Sequence, residues 1–350
     1  MIQVKTGFEG ANPGQPGLIE RIGENTFRIQ PYSEDGDGNY KFQMFVRLRN
    51  TAKQAATVDL TIDWGDQTYM GNRDYVLVGR GERWRYFPVT IEAATAQASV
   101  VIPPGTYDVA LQPTYGLDRL GAWRKRAGQG GPLAVRQVGQ TPGGHPIEAF
   151  ELGDPQVPQS QRLAILARCH PYETAGSFLA EGALRELIAG AGRKYSHWRI
   201  SAVPMANPDG VASGLCKRTA VGGCNLEQES GTSDDPTARC LRQWLDEVRP
   251  AVLVDLHGWM HRYKDGFTYT HEDLAAQMKE QLLGVADIDR AWRLRMVGDQ
   301  DAGSPWTYCR QRHGTRSLVY SFGWFGRSTS HMRRIGAVLM AALGRCGWSG

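Results

Sequence analysis

The sequence predicts an all-β sandwich followed by a larger α/β domain on a mainly parallel or mixed sheet. Three observations carry this expectation. Short alternating runs separated by turn residues recur through residues 1–112. From about residue 136, apolar runs alternate with helical periodicity, the order that lays helices on both faces of a sheet. All eight histidines and all six cysteines lie at or beyond His145, which confines most metal-binding and nucleophilic chemistry to the second part.

The strands of the first part are read at Thr26–Ile29, Lys41–Leu48, Ala56–Ile62, Arg83–Val89, Ala98–Ile102 and Tyr107–Leu111. Gly36-Asp37-Gly38-Asn39 and Pro103-Pro104-Gly105 are turn signals between them. Residues 113–135 read as a basic, Gly-rich linker carrying Arg119, Arg124, Lys125 and Arg126. That cluster is either a solvated face or the border of a site mouth that attracts acidic groups. Beyond it, Leu133–Gly139 and Pro146–Gly153 flank Thr141-Pro142-Gly143-Gly144 and predict a hairpin. Strands then follow at 162–168, 198–205, 251–256 and 315–322, and helices at 174–190, 236–248, 271–283 and 329–345. The expected domains are thus 1–112, a linker at 113–135, and 136–350.

Composition narrows the function. A net charge of +4 over 350 residues suggests neither a nucleic-acid binder nor a membrane-surface protein. No apolar run approaches the length of a membrane span. Met1-Ile2-Gln3-Val4-Lys5 has no apolar signal core, so a cytoplasmic location with reduced thiols is expected. The cysteine spacing matches no zinc pattern.

The chemistry centres on Cys169-His170-Pro171-Tyr172-Glu173-Thr174, where a strand ends and a helix begins. Sites in open α/β sheets collect at the carboxyl ends of strands. Imidazole and carboxylate are both good zinc ligands, and a catalytic zinc takes three protein ligands and an open position. His257, closing the apolar strand 251–256, is the candidate third ligand. Taken alone, His-x-x-Glu reads more simply as a helix-capping or core histidine and a first-turn carboxylate favoured by the helix dipole. His261 reads as pocket wall, because Gly258 argues against a helical pair with His257. Asp255 reads as an orienting neighbour, and Tyr308 and Tyr320 as packed aromatics or pocket hydroxyls.

Several segments, in order, resemble the zinc metallocarboxypeptidases, in particular their cytosolic-carboxypeptidase branch. They are Ala167-Arg168-Cys169-His170-Pro171-Tyr172-Glu173-Thr174, Val203–Val211, Arg218–Leu226 and Asp255-Leu256-His257-Gly258, with Phe8-Glu9-Gly10-Ala11-Asn12 opening the first part. The resemblance implies a carboxypeptidase-like catalytic domain preceded by a β-sandwich, a Zn2+ cofactor, and a peptide or amide-containing small-molecule substrate. It implies His170, Glu173 and His257 as metal ligands and Arg218 as the group that steadies an oxyanion. Asn225, Gln228 and Tyr320 are candidate substrate-binding residues.

The resemblance breaks at two places. Glu227 and Gln228 stand where the family has an Asn-Arg pair that grips a terminal carboxylate, and Gln cannot supply the charged fork of Arg. Val319 stands where the family has its general-base Glu, and no Glu follows Glu280. Three readings remain: an amide hydrolase whose base is relocated to Glu227, a catalytically inactive metal- or ligand-binding relative, or a valine introduced by design. In the first, an amine-bearing group facing Glu227 is a further alternative to a free carboxyl terminus.

Overall fold

The computed structural model describes residues 1–5, 7–11, 18–34, 41–65, 74–127, 129, 131–191, 193–259, 264–285, 288 and 291–346. The turn expected at 36–39 and His261 lie outside these residues. The chain separates into two compact units, Met1–Gly116 with Gly210–Arg218, and Leu117–Asp209 with Thr219–Gly350.

The first unit is a sandwich of strands β1 (Ile2–Lys5), β2 (Ile19–Arg21), β3 (Thr26–Ile29), β4 (Phe45–Asn50), β5 (Ala56–Asp63), β6 (Tyr75–Arg80), β7 (Arg83–Pro88), β8 (Thr90–Glu92), β9 (Thr95–Ile102) and β10 (Gly105–Ala110). They form two five-stranded sheets, β1-β4-β10-β6-β7 and β2-β3-β5-β9-β8. Alternation drives the packing: in β9 every second residue, Ala96, Ala98, Val100 and Ile102, is buried and the others face out. The inward sets of both sheets, Val46, Leu48, Val76 and Val109 among them, join Phe27, Val58 and Leu60 in one apolar core. The segment Gly210–Arg218 is held in this unit by Glu34, whose carboxylate accepts from the backbone N–H groups of Cys216, at 2.8 Å, and of Lys217 and Arg218.

The second unit opens with helix α1 (Leu117–Ala127), inside the stretch read as a linker. Its buried Leu120, Trp123 and Ala127 recur at helical spacing. Two of its four cations are matched by carboxylates of the same unit: Arg119 meets Glu181 at 2.9 Å and Arg124 meets Glu148 at 2.8 Å. The predicted hairpin is present as β11 (Ala134–Gln140) and β12 (Pro146–Leu152). There follow β13 (Arg162–Ala167), α2 (Thr174–Gly190), β14 (Arg199–Val203), the short helices α3 (Pro208–Ala212) and α4 (Leu226–Glu229), α5 (Pro236–Val248), β15 (Val252–Trp259), β16 (Lys264–Tyr269), α6 (Glu272–Leu282), β17 (Ala291–Met296), α7 (Pro305–His313), β18 (Arg316–Gly323) and α8 (Thr329–Leu343). The sheet order is β11-β12-β14-β13-β15-β18-β16-β17. Its centre, β14-β13-β15-β18, is parallel, while β12 and β16 join it antiparallel.

One strand runs past its expected end. β15 continues through His257 and Gly258 to Trp259, because β18 supplies ladder partners that far, with His257 opposite Ser321 and Trp259 opposite Gly323. β16 escapes the sequence reading because Lys264-Asp265-Gly266 looks like a loop, yet Asp265 is fully buried in a bidentate pair with Arg327 at 2.7 and 2.8 Å. No helix among the described residues is long and apolar enough to cross a membrane.

The helix-covered face opposite the site is packed through glycines. A Cβ on Gly182 of α2 would lie 1.9 Å from the Arg333 carbonyl oxygen of α8, and one on Gly336 of α8 would lie 2.0 Å from that of Leu179. Gly176 approaches the Leu256 carbonyl of β15 equally closely. Gly182→Ala therefore destabilises the protein, by about 1–3 kcal/mol, despite the better helix propensity of alanine. Urea unfolding of the variant checks this, and an unchanged or raised midpoint would contradict the close helix contact.

Candidate metal centre and adjoining cleft

The parallel strands β13 and β15 lie side by side, with Ala167 opposite Leu256, so the residues that follow or end them emerge together. Between β13 and α2 the chain turns sharply at Arg168, whose φ of 64° is left-handed and costs a non-glycine residue free energy. The Arg168 guanidinium holds that turn by donating to the Pro171 carbonyl at 2.7 Å and to Ser177 Oγ at 3.2 Å. Further turn bonds, Glu173 N–H to the His170 carbonyl at 3.1 Å and Gly176 N–H to the Glu173 carbonyl at 3.2 Å, present His170 and Glu173 side by side.

Glu173 occupies the N-cap of α2 but its side chain makes no capping bond. Its carboxylate instead gathers the centre. Oε1 lies 3.0 Å from His170 Nδ1, Oε2 lies 2.7 Å from His257 Nδ1, and Oε2 also accepts from the Gly258 N–H at 3.1 Å. Glu173 therefore does more than sit as a carboxylate at the helix start, because its oxygens bind both histidines. The two imidazole centroids are 5.7 Å apart, and His170, Glu173 and His257 are all buried. Burial raises the cost of the Glu173 charge, but the two histidines outweigh it and hold its carboxyl well below the usual range. Burial likewise opposes charge on His170, and the carboxylates of Glu173 and Glu227 overcome it and raise its pKa. On His257, Asp255 and Glu173 do the same against burial and raise it well above its ordinary value.

The outer nitrogens have partners too. His170 Nε2 lies 2.9 Å from Asn225 Oδ1 and 3.2 Å from Glu227 Oε2. His257 Nε2 lies 3.1 Å from Asp255 Oδ2, without the alignment of a hydrogen bond. One donor atom each from His170, Glu227 and His257 falls within 4.8 Å of the others. Two buried imidazoles and a half-buried carboxylate converging, with Asp255 behind the His257 ring, is a donor set suited to a divalent metal such as zinc.

The remaining site candidates separate by position. Glu227, in α4, is half-buried and opens on a cleft of about 360 Å³ that is also lined by Gln228, Arg295, Gln300, Asp301, Ser304 and Trp306. Gln228 is exposed. Tyr320 is not brought to the centre. It alternates to the other face of the sheet, fully buried, with its ring 4.7 Å from and parallel to that of Phe267. Tyr308 binds both oxygens of Asp246 at 2.9 Å. Val319 pairs in register with Asp255 and packs in the apolar core with Trp306 and Leu253. Arg218 falls in the segment that clusters with the first unit. Cys169 is buried, and burial together with Asp255, Glu227 and Glu173 pushes its thiol pKa well up, so it is no thiolate.

Trp306 is the residue the sequence reading missed. It is buried, its ring lies 6.3 Å from that of His257, and it lines the cleft. Its signal in the sequence is faint: Ser304-Pro305 is a helix start, Ser304 Oγ accepting from the Thr307 N–H at 3.2 Å, and nothing marks the next residue as a site wall.

The fold is that of the metallo-carboxypeptidases. A metallo-carboxypeptidase from Burkholderia cenocepacia is 18% identical, with a TM-score of 0.83 and 98% of each chain covered. One from Pseudomonas aeruginosa, solved in complex with (2-guanidinoethylmercapto)succinic acid, is 17% identical, with a TM-score of 0.80 and again 98% of each chain covered. No protein-family profile matches the sequence.

Two measurements test the centre. Metal analysis of the purified, zinc-supplemented protein is expected to give about one ion per chain and almost none for His170→Ala. Asp255→Asn, which leaves the donor set whole, is expected to weaken metal affinity roughly 10- to 100-fold in a chelator competition. Equal affinity in that variant would show that Asp255 does not orient His257.

Proposed function

We propose that this protein is a zinc-dependent, carboxypeptidase-like hydrolase of an amide bond in a peptide or small molecule, with Glu227 as its proton acceptor. The observation that carries the reading is that Glu227 alone, among the described carboxylates beside the two histidines, also lines the open cleft. The finer resemblance to the cytosolic-carboxypeptidase branch rests on the sequence motifs and supports His170, Glu173 and His257 as the donor set, whereas the grouped donor atoms bring in Glu227 in place of Glu173.

His170, Glu173 and His257 would hold the ion. When bound, zinc supplies Lewis-acid polarisation of a carbonyl and brings the pKa of water near 7. Asp255 sits behind His257 and would orient its ring. Glu227 Oε2 takes a proton from the attacking water as its oxygen bonds to the amide carbon. The same carboxyl then returns the proton to the departing nitrogen as the C–N bond breaks, so that atoms and charge balance. The wall at Val319 takes no part, being apolar and packed.

A second reading is favoured by the same closeness. A Glu227 within ligand distance could close the coordination sphere as a fourth donor, which makes a structural site without turnover. Glu227→Gln separates the two. For the hydrolase, kcat falls roughly 100- to 10,000-fold while metal content holds. For the closed site, wild-type protein shows no turnover and the variant loses metal. Full turnover in Glu227→Gln would remove Glu227 from the chemistry.

A further inference from the structure

The cleft beside Glu227 has a charge balance that selects its occupant. Its one lining cation among the described residues, Arg295, is already committed: Nη1 and Nη2 meet the two Asp301 oxygens at 2.6 and 2.9 Å. That pair is neutral as a unit, so the lining is left with the negative charge of Glu227. The other polar lining is neutral, namely the side-chain amides of exposed Gln228 and Gln300 and the hydroxyl of buried Ser304. The indole N–H of buried Trp306 has no hydrogen-bond partner among the described residues. A buried donor left unpaired costs free energy that a ligand acceptor recovers.

These walls are firmly placed. The Gly231 N–H donates to the Gly303 carbonyl at 2.8 Å, and a Cβ on Gly303 would lie 2.3 Å from the Gln228 carbonyl oxygen. The segment bearing Gln228 is thus fixed against the one bearing Ser304 and Trp306.

We propose that this cleft binds an uncharged carboxamide group of its ligand and excludes a free carboxylate. A primary amide offers an oxygen to a donor such as the Trp306 N–H and both N–H and C=O to the Gln228 amide, which is itself a donor and an acceptor. A carboxylate there would face Glu227 with no uncommitted cation among the described lining residues to offset it. This assignment deepens the hydrolase reading and rests on it for where the ligand lies.

The test uses full-length, zinc-loaded protein and one N-acetylated dipeptide in three forms: free carboxylate, primary carboxamide and aminoethyl amide. Dissociation constants are measured by calorimetry and kcat/KM by product release. The carboxamide is expected to bind roughly 10- to 100-fold more tightly than the carboxylate. Gln228→Arg, at an exposed position, is expected to reverse that order with unchanged thermal stability. The proposal is overturned if the carboxylate binds as well or better, if the aminoethyl amide binds best, or if none of the three binds. Tight carboxamide binding without turnover would keep the proposal and sink the hydrolase reading, so the two fail separately.

Discussion

The arrangement of the second unit turns on one buried carboxylate. Glu173 is taken out of water at the start of α2, and an unpaired charge there would cost several kcal/mol. It is held by two imidazoles and a backbone N–H, contributed by the β13–α2 turn on one side and β15 on the other. Gly258 is small for the same reason, since a Cβ there would lie 3.0 Å from that of Glu173. The strained Arg168 backbone and its two side-chain bonds are the local cost of aiming His170 and Glu173 at one point.

The sheet makes this economical. Parallel register puts Asp255 beside Leu166 and Val319, so one face of the centre carries the chemistry and the apolar core that supports it. The opposite face, with Leu256 and Tyr320, is sealed by the glycine-mediated approach of α2 and α8. Side-chain alternation therefore sorts residues that sequence proximity cannot: Val319 belongs to the site face, and Tyr320, its neighbour, does not.

That sorting explains what was legible in the sequence. The strand–turn–helix around His170 was readable because apolar periodicity and the His-x-x-Glu spacing are local, and α2 runs over the residues its periodicity predicts. His257 was readable as a candidate, but its place inside β15 was not, because the ladder with β18 is a long-range pairing. The role of Glu173 as a hub rather than a lone first-turn carboxylate likewise needed the partner strand. α1 was hidden by Gly-rich, basic surroundings, two of whose charges, Arg119 and Arg124, turn out to be paired with Glu181 and Glu148. The Arg295–Asp301 pair, which sets the charge of the cleft, joins residues on a strand and in a turn that local pattern does not connect.

The two departures from the expected motif are one electrostatic problem. Asp255 and Glu173 already place two buried carboxylates against the histidines, and a carboxylate at position 319 would stand in register beside Asp255. Valine there lets the core with Trp306 close over that position without a third buried charge. The third carboxylate sits instead at Glu227, half-buried, where water reaches it and the desolvation cost is smaller. A charge moved from the sheet to the rim of the cleft stays within reach of His170 and changes the character of that rim. Gln228 beside it, with Arg295 bound to Asp301, leaves that rim without a free cation among its described lining residues. In the proposed hydrolase, moving the proton acceptor and losing the anion grip would be linked, because a ligand carboxylate placed next to Glu227 would oppose the charge that reading requires there.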